Sequence, residues 1–505
     1  MAPFPAEILL KIFTDLQKES PDALHAVAAS SREFSRVARP LAYSELRFAA
    51  YRDKKEVLSD KAVKRMELWT SEGVAPLVRT CVISRGWRYQ AVLVPSGLLK
   101  TFFDAIERFR GLRRLLIEDV ELGGRLSKIH ACLPALEDLE VDLTEAKEPS
   151  VFKPATTTEG AKLKRCQLTL RMKDGLPAFI PFLHPAYLTH LTLECNLHFW
   201  VKNASRLPAF PKVIALSMGG FAIEQASDIL ALLPKFPAVQ KLTLSDLRDI
   251  DTSVFTAADF GTMVHTLTTI DVPSDLVPIL LPAAPNLTHI KLSDSNINNI
   301  WDPTPVLSGV SSASIVSLDV YISMPDAPSL SAIFTALPQL RELNLQAYDG
   351  EDLTDLGGSR FGNTRKGFLD FLSGRGKHAQ TALPASLKSF MITWFSDDDF
   401  NSDENWRWVH TLSDGDSDDG GGSSEDEDEG GVARTNAGVS DYIQSARDAI
   451  LQRLPALTSL WLDYPPFLVT WRRLAPMGPV SFKSVVFECE QEGPGIQAED
   501  FWASR

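Results

Sequence analysis

The chain has 505 residues, 44% hydrophobic and 23% charged, with a formal net charge of -14. No apolar run reaches the length of a membrane span, no basic stretch precedes an apolar core as in a secretory leader, and five cysteines without paired spacing argue against a disulfide framework. The charge is local: residues 397–430 hold fourteen Asp or Glu and one Arg, so the rest is near neutral and no nucleic-acid partner is expected.

The expected compartment is therefore reducing, cytoplasmic or nuclear. In chain order, "PFPAEILLKIFTDLQ" comes first. Pro5 suits a first helical position, and Ile8, Leu9, Ile12, Phe13 and Leu16 then form a wide apolar face. Ser20 and Pro21 read as N-cap and first-turn proline of a second helix carrying Leu24 and Val27. A third, "REFSRVA", carries Phe34 and Val37 and is expected to end before Pro40. Three short helices make a thin core, and a domain this small usually needs a partner.

Residues 1–45 resemble the F-box. The matching residues are Pro5, Glu7, Ile8, Leu9, Ile12, Phe13, Leu16, Ser31, Arg32 and Phe34, with Phe4 where the family usually has Leu. The resemblance implies an adaptor that docks a Skp-family linker and, through it, a cullin–RING ubiquitin ligase. Carried over by position, the linker-facing residues are Phe4, Pro5, Ile8, Leu9, Phe13, Leu24 and Val27.

Residues 46–74 read as a linker or cap. From 75 onward a pattern recurs: apolar, two variable, apolar, one variable, apolar. It appears as Val78-Cys81-Ile83, Leu112-Leu115-Ile117 and Leu136-Leu139-Val141, and so on to Leu457-Leu460-Leu462 and Phe482-Val485-Phe487. The last two apolar positions alternate as in a strand buried on one face. From Leu112 to Leu340 the first positions lie 24, 27, 25, 25, 26, 28, 20, 28 and 25 residues apart. Between them, "GLLKTFFDAIERF", "SLSAIFTAL" and "YIQSARDAILQRL" put apolar residues on one helical face. One unit cannot bury both its helix face and its strand face; stacked units can.

This organisation resembles the leucine-rich repeat. The resemblance implies an α/β solenoid over residues 75–395 and 441–505, with parallel strands on the concave face and helices on the convex face, preceded by the three-helix F-box. The Asn or Cys that the family carries after the strand is met at Asn196 alone.

Alternation sends the intervening strand residues away from the core. Asp138, Glu140 and Asp142 should form an acidic rung beside Arg165, and Tyr321, Met391 and Trp461 are candidate client-binding residues. His190 and His289 share one outward offset and read as surface polar residues. Cys81 and Cys166 stand where leucine is usual and read as small core residues.

The repeats are interrupted between Leu340 and Leu387 and between Leu387 and Leu457. Residues 396–440 are acidic and low in complexity, so disorder is the expectation. Ser413, Ser417, Ser423 and Ser424 each precede acids and suit an acidophilic kinase. The alternatives are a screened contact with the basic segment of the first gap and a loop with no task. "SGRGKH" at 373–378 lacks the glycine and hydroxyl residue of a phosphate loop. No metal, cofactor or catalytic constellation is expected. The reading is a non-enzymatic substrate adaptor of a Skp–cullin–F-box ligase; the alternative is a repeat scaffold outside any ligase, with the helices serving as a cap.

Overall fold

The computed structural model describes residues 5–54, 58–86, 93–122, 125–143, 161–170, 176–195, 207–219, 226–245, 254–292, 307, 312, 314–323, 327–349, 370–375, 383–396, 445–464, 467–472 and 485–488. The acidic run, its four serines and Phe4 lie outside them. The chain forms two units, 1–267 and 268–505.

The first unit opens with α1 (Ala6–Glu19), α2 (Pro21–Ser30) and α3 (Arg32–Ala42). Pro5 is the N-cap of α1 rather than its first residue, and its carbonyl accepts from the Ile8 and Leu9 amides at 3.0 and 3.2 Å. Ser31 caps α3 by accepting from the Phe34 amide. Helix α3 does not stop before Pro40 but runs two residues beyond it. The proline removes one amide donor, and Arg36, whose carbonyl loses that donor, is exposed, so solvent can satisfy it.

The ladder begins earlier than the repeat pattern indicates. β1 (Glu45–Ala49) comes directly after α3. It is followed by β2 (Tyr51–Asp53), α4 (Asp60–Trp69), β3 (Thr80–Ser84) and β4 (Leu93–Pro95). β1 pairs in parallel with β3, Leu46 beside Cys81 and Phe48 beside Ile83, while β2 and β4 form a separate antiparallel pair. The segment expected as linker thus supplies the first rung. "ELRFA" escapes the repeat pattern because no apolar anchor stands three residues before Leu46; Tyr43 occupies that place.

β5 (Arg114–Glu118), β6 (Asp138–Leu143), β7 (Arg165–Leu170), β8 (His190–Cys195), β9 (Ala215–Gly219) and β10 (Lys241–Leu244) continue the first unit, each parallel to the one before. In the second unit β11 (Thr269–Val272), β12 (His289–Leu292), β13 (Ser317–Ser323), β14 (Glu342–Asp349), β15 (Ser389–Ser396) and β16 (Ser459–Tyr464) repeat the arrangement.

The final repeat is a correction. Val485 and Phe487 lie on β18 (Val485–Glu488), which is antiparallel to β17 (Phe467–Arg472), itself antiparallel to β16. Parallel neighbours need a crossover of a dozen or more residues. Residues 465 and 466 alone separate β16 from β17, so the chain returns as a hairpin.

The register keeps every apolar pair in line. Leu115 faces Cys81 and Leu139, and Ile117 faces Ile83 and Val141. These residues are fully buried, as are Leu242 and Leu244, Ile270 and Val272, and Leu343 and Leu345. Cys81 and Cys166 are buried among them, and desolvation drives the Cys81 thiol far above its ordinary range. They pack as small apolar residues.

A second device locks the rungs. Along the parallel rungs, a carbonyl just before a strand repeatedly accepts two successive amides of the next rung. Arg113 accepts from Glu137 and Asp138, each at 2.9 Å, and Lys164 accepts from Thr189 and His190 at 2.8 and 3.0 Å. In the second unit Thr288 accepts from Val316 and Ser317, and Arg341 from Lys388 and Ser389. Thr189, Thr288 and Thr458 add their hydroxyls, donating to the carbonyls of Lys164, Thr268 and Lys388 at 2.9, 3.0 and 2.9 Å. Repeats of unequal length therefore enter the sheet in one register.

The apolar segments between strands fold as short helices. The first expected helix is α-helical over Leu98–Asp104 and 3-10 over Ile106–Arg108. Its Leu99, Phe102, Phe103 and Phe109 are buried, and Phe102 stacks obliquely on Phe48 of β1 at 5.6 Å. Ala327–Ala336 is α-helical, with Leu330 and Ile333 fully buried. Residues 445–453 are helical and bury Ile450.

Candidate protein-binding surfaces

Three surfaces follow from this fold. The first is α1. Leu9, Phe13, Leu24 and Ala38 form the core of the three-helix bundle, with Val27, Phe34 and Val37 packed against it. Phe13 meets Phe34 edge to face at 5.6 Å. Geometry therefore divides the residues carried over from the F-box resemblance. Leu9, Phe13 and Leu24 are at most 4% exposed, so they shape the bundle and cannot touch a partner while it stays closed. Val27 is half-buried, and Pro5 is exposed. Ile8 is 47% exposed, and Ile12, one turn on, is 49% exposed. Pro5, Ile8 and Ile12 make the apolar face of the bundle that is open to a partner. Ile12 was legible in the sequence as the i+4 neighbour of Ile8.

The bundle is tied to the start of the ladder. Gln17 Nε2 donates to the Leu41 carbonyl at 3.2 Å and to Ser44 Oγ at 2.9 Å. Tyr43 packs edge to face on Trp69 of α4 at 5.3 Å, and Arg39 donates to the Gly73 carbonyl at 3.4 Å.

The second surface is the outer face of the first unit's sheet, the side away from the helices. The register places Arg114, Asp138, Arg165 and His190 in one row. Asp138 lies 3.6 Å from Arg114 and 3.9 Å from Arg165, and Arg114 also reaches Glu140 at 3.1 Å. The acidic rung beside Arg165 is as alternation predicts; the part of Arg114 on its other flank was missed, although Arg114 stands at the same outward offset. Partial burial raises the Asp138 pKa despite the two arginines that oppose it. Burial, aided by Arg165, lowers that of His190. His190 Nδ1 lies 2.9 Å from the Thr189 hydroxyl, and His289 Nδ1 lies 2.8 Å from that of Thr288. His289 is exposed and His190 half-buried, and each has the hydroxyl of the preceding threonine as the partner of its Nδ1.

The third surface is the outer face of the second unit. Its central row runs Asp271, Lys291, Asp319, Asn344, Met391, Trp461. Lys291 pairs with Asp271 at 3.5 Å. Asp319 Oδ1 accepts from Asn344 Nδ2 at 3.0 Å and from Gln346 Nε2 at 3.4 Å. Burial raises the Asp319 pKa, against the pull of Lys291 and the two amides.

Two candidate client residues are corrected here. Met391 and Trp461 do point away from the core, side by side in register, but they are only 4% and 5% exposed. Alternation tells one side of a sheet from the other; it does not tell whether that side is wet. Tyr321 lies on β13 opposite Gln346, and its side chain is outside the described residues.

No family model matches the chain, and no curated protein matches it. Among solved structures, the chain is similar to the leucine-rich repeat-containing protein LegL7 from Legionella pneumophila. The two are 13% identical, with a TM-score of 0.34, over 67% of this chain and 99% of that one. The repeats described above rest on the register and burial of this chain, independently of that likeness.

Proposed function

We propose that the protein is a non-enzymatic adaptor. The bundle docks a Skp-family linker and through it a cullin–RING ubiquitin ligase, and the ladder holds a client protein. The observation that carries this reading is the pair of isoleucines on α1, Ile8 and Ile12, each about half exposed on a bundle whose own core is already filled by Leu9, Phe13 and Leu24. Half-exposed β-branched residues one turn apart lose water when a partner covers them, about 25 cal/mol for each Å² of apolar area. The adaptor makes and breaks no bonds itself. It raises the effective concentration of client lysines near the ligase.

Replacing Ile8 and Ile12 together by Asp tests this. The variant should lose co-purification with the Skp-family linker while its thermal unfolding midpoint stays at the wild-type value. Retention of the linker by the variant would overturn the docking face.

A specific set of contacts favours the second reading, a scaffold outside any ligase whose helices cap the ladder. These are the Gln17, Arg39 and Tyr43 contacts to the segment around the first rung. In that case no linker co-purifies with the wild type, and deleting residues 1–44 lowers the unfolding midpoint by removing Tyr43 from the Trp69 ring.

A further inference from the structure

The turns entering β6 to β9 enclose a groove of about 400 Å³ on the edge of the first unit. Aligning the repeats on their first apolar position puts Ala135, Lys162, Tyr187 and Lys212 in one column, each immediately before its buried anchor. On the neighbouring rungs that column holds Gly111 and Ala238. Two lysines and a tyrosine on three successive rungs are therefore a local departure from small residues, and the groove is lined by all three.

The charges there are not balanced. Lys164, one residue beyond the same anchor as Lys162, pairs with the Glu137 carboxylate at 3.0 Å. Lys162 lies over the Tyr187 ring, its Nζ 5.5 Å from the centroid. Lys212 is exposed and makes no ion pair with a described residue. Among the described residues that line the groove, one carboxylate therefore answers three ammonium groups. Pro134, Ala135 and Ala186 also line the groove, short side chains that leave room beside the lysines.

We propose that this groove binds an acidic peptide segment of a protein partner. The entry turns repeat at the strand spacing of about 4.8 Å, so four of them span about 14 Å, enough for about four extended residues at about 3.3 Å each. Lys162 and Lys212 stand two rungs apart, about 10 Å, close to the rise of three extended residues. A segment in the polyproline-II conformation, with about three residues per turn and a rise of about 3.1 Å each, presents its first and fourth side chains on one face about 9 Å apart, so carboxylates there meet the two lysines, beside the Tyr187 ring that Lys162 covers. A lysine ammonium is a point charge that accepts any carboxylate approach, so the groove selects for negative charge and spacing rather than for one side chain. The site lies apart from the bundle and does not require linker docking; it rests on the ladder being a protein-binding surface.

The probe is a fluorescein-labelled octapeptide with Glu at every third position, titrated with the full-length chain and read by fluorescence anisotropy. The expected result is binding that weakens as salt rises from about 50 to about 300 mM, since the lysines are exposed and screened. The Gln-for-Glu peptide should not bind. Lys162→Glu with Lys212→Glu should weaken binding by about tenfold or more, because charge reversal turns two attractive contacts repulsive. Lys212→Gln, at an exposed and unpaired position, should weaken it by a smaller factor with no change in the unfolding midpoint. A phosphoserine-for-Glu peptide distinguishes phosphate from carboxylate as the source of charge; stronger binding that the double variant abolishes keeps the groove and names phosphate. Undiminished binding by the double variant overturns the proposal. So does a single-stranded oligonucleotide of equal charge that displaces the peptide through the same lysines.

Discussion

The two units present the same alternation to opposite effect. In the first, the outer row of Arg114, Asp138 and Arg165 is a surface feature: the arginine side chains are 49% and 56% exposed. In the second, the corresponding row carries a half-exposed Lys291 but passes on through Asp319 to Met391 and Trp461, which are nearly inaccessible. Within its own unit, each row sits on the side of the strands away from the helices. The periodicity of a strand fixes which residues share a face, and the size and neighbours of those residues decide whether the face is an interface or an interior. A charged, wet row is suited to recognition; a row of Asn, Met and Trp is held together by packing and hydrogen bonds and contributes to stability.

The sharpest break between the two is Trp461. If the row in the second unit is interior, Trp461→Ala removes a large buried side chain and should cost about 3–5 kcal/mol of unfolding free energy, measured by urea denaturation. A cost near zero would return Trp461 to the surface and restore it as a client contact.

Next in size is the pH response of Asp319. Its pKa is raised above the ordinary carboxylate value of 3.8 by burial, so the folded state holds the proton more tightly than the unfolded state. Stability from this group is fully present below that ordinary value and is lost as pH rises through the elevated folded value. Asp319→Asn keeps an oxygen to accept from Asn344 and Gln346 but cannot ionise. Plotted against pH, the difference in stability between variant and wild type should therefore shift in favour of the variant over that window. A pH-independent difference would mean that burial does not raise the Asp319 carboxyl in the folded state.

What could be read from the chain beforehand follows the same division. Anchors such as Leu136, Leu139 and Val141 announce themselves because burying one face of a strand against a helix demands alternation at a fixed place in every repeat, and their neighbours on adjacent rungs obey the same demand. β1 was hidden because Tyr43 stands where an apolar anchor would, and β17 because a hairpin return has no repeat spacing to match. The bundle's apolar residues were legible as a set, but its sequence does not say which of them it keeps. Leu9 and Ile8 are adjacent and equally apolar, and the packing of α2 and α3 alone decides that Leu9 is core and Ile8 is open. Trp461 was misread for a related reason: outward is a direction, while exposure depends on what else occupies that side. The lysine column was visible in the alignment of repeats, yet its significance needed the groove, which arises only when four entry turns stand side by side.

The smallest expected effect tests the first unit. Arg114→Ala and Arg165→Ala, singly and together, remove partners of Asp138 and Glu140 that are about half exposed. Water competes for these pairs, and holding long side chains in place costs entropy, so each change should shift the unfolding free energy by less than about 1 kcal/mol. The shift should shrink further at about 1 M salt, where the screening length falls to about 3 Å, comparable to the separations of these pairs. Asp138 is the term that could enlarge the effect, since it is partly buried and flanked by both arginines, and losing both leaves its charge unanswered. The double variant should therefore cost somewhat more than the two single changes summed, and lowering the pH through the raised Asp138 value should erase that excess by protonating the carboxylate. An excess above about 2 kcal/mol that persists in high salt would place this row in an interior like that of the second unit, and the contrast between the two faces would no longer hold.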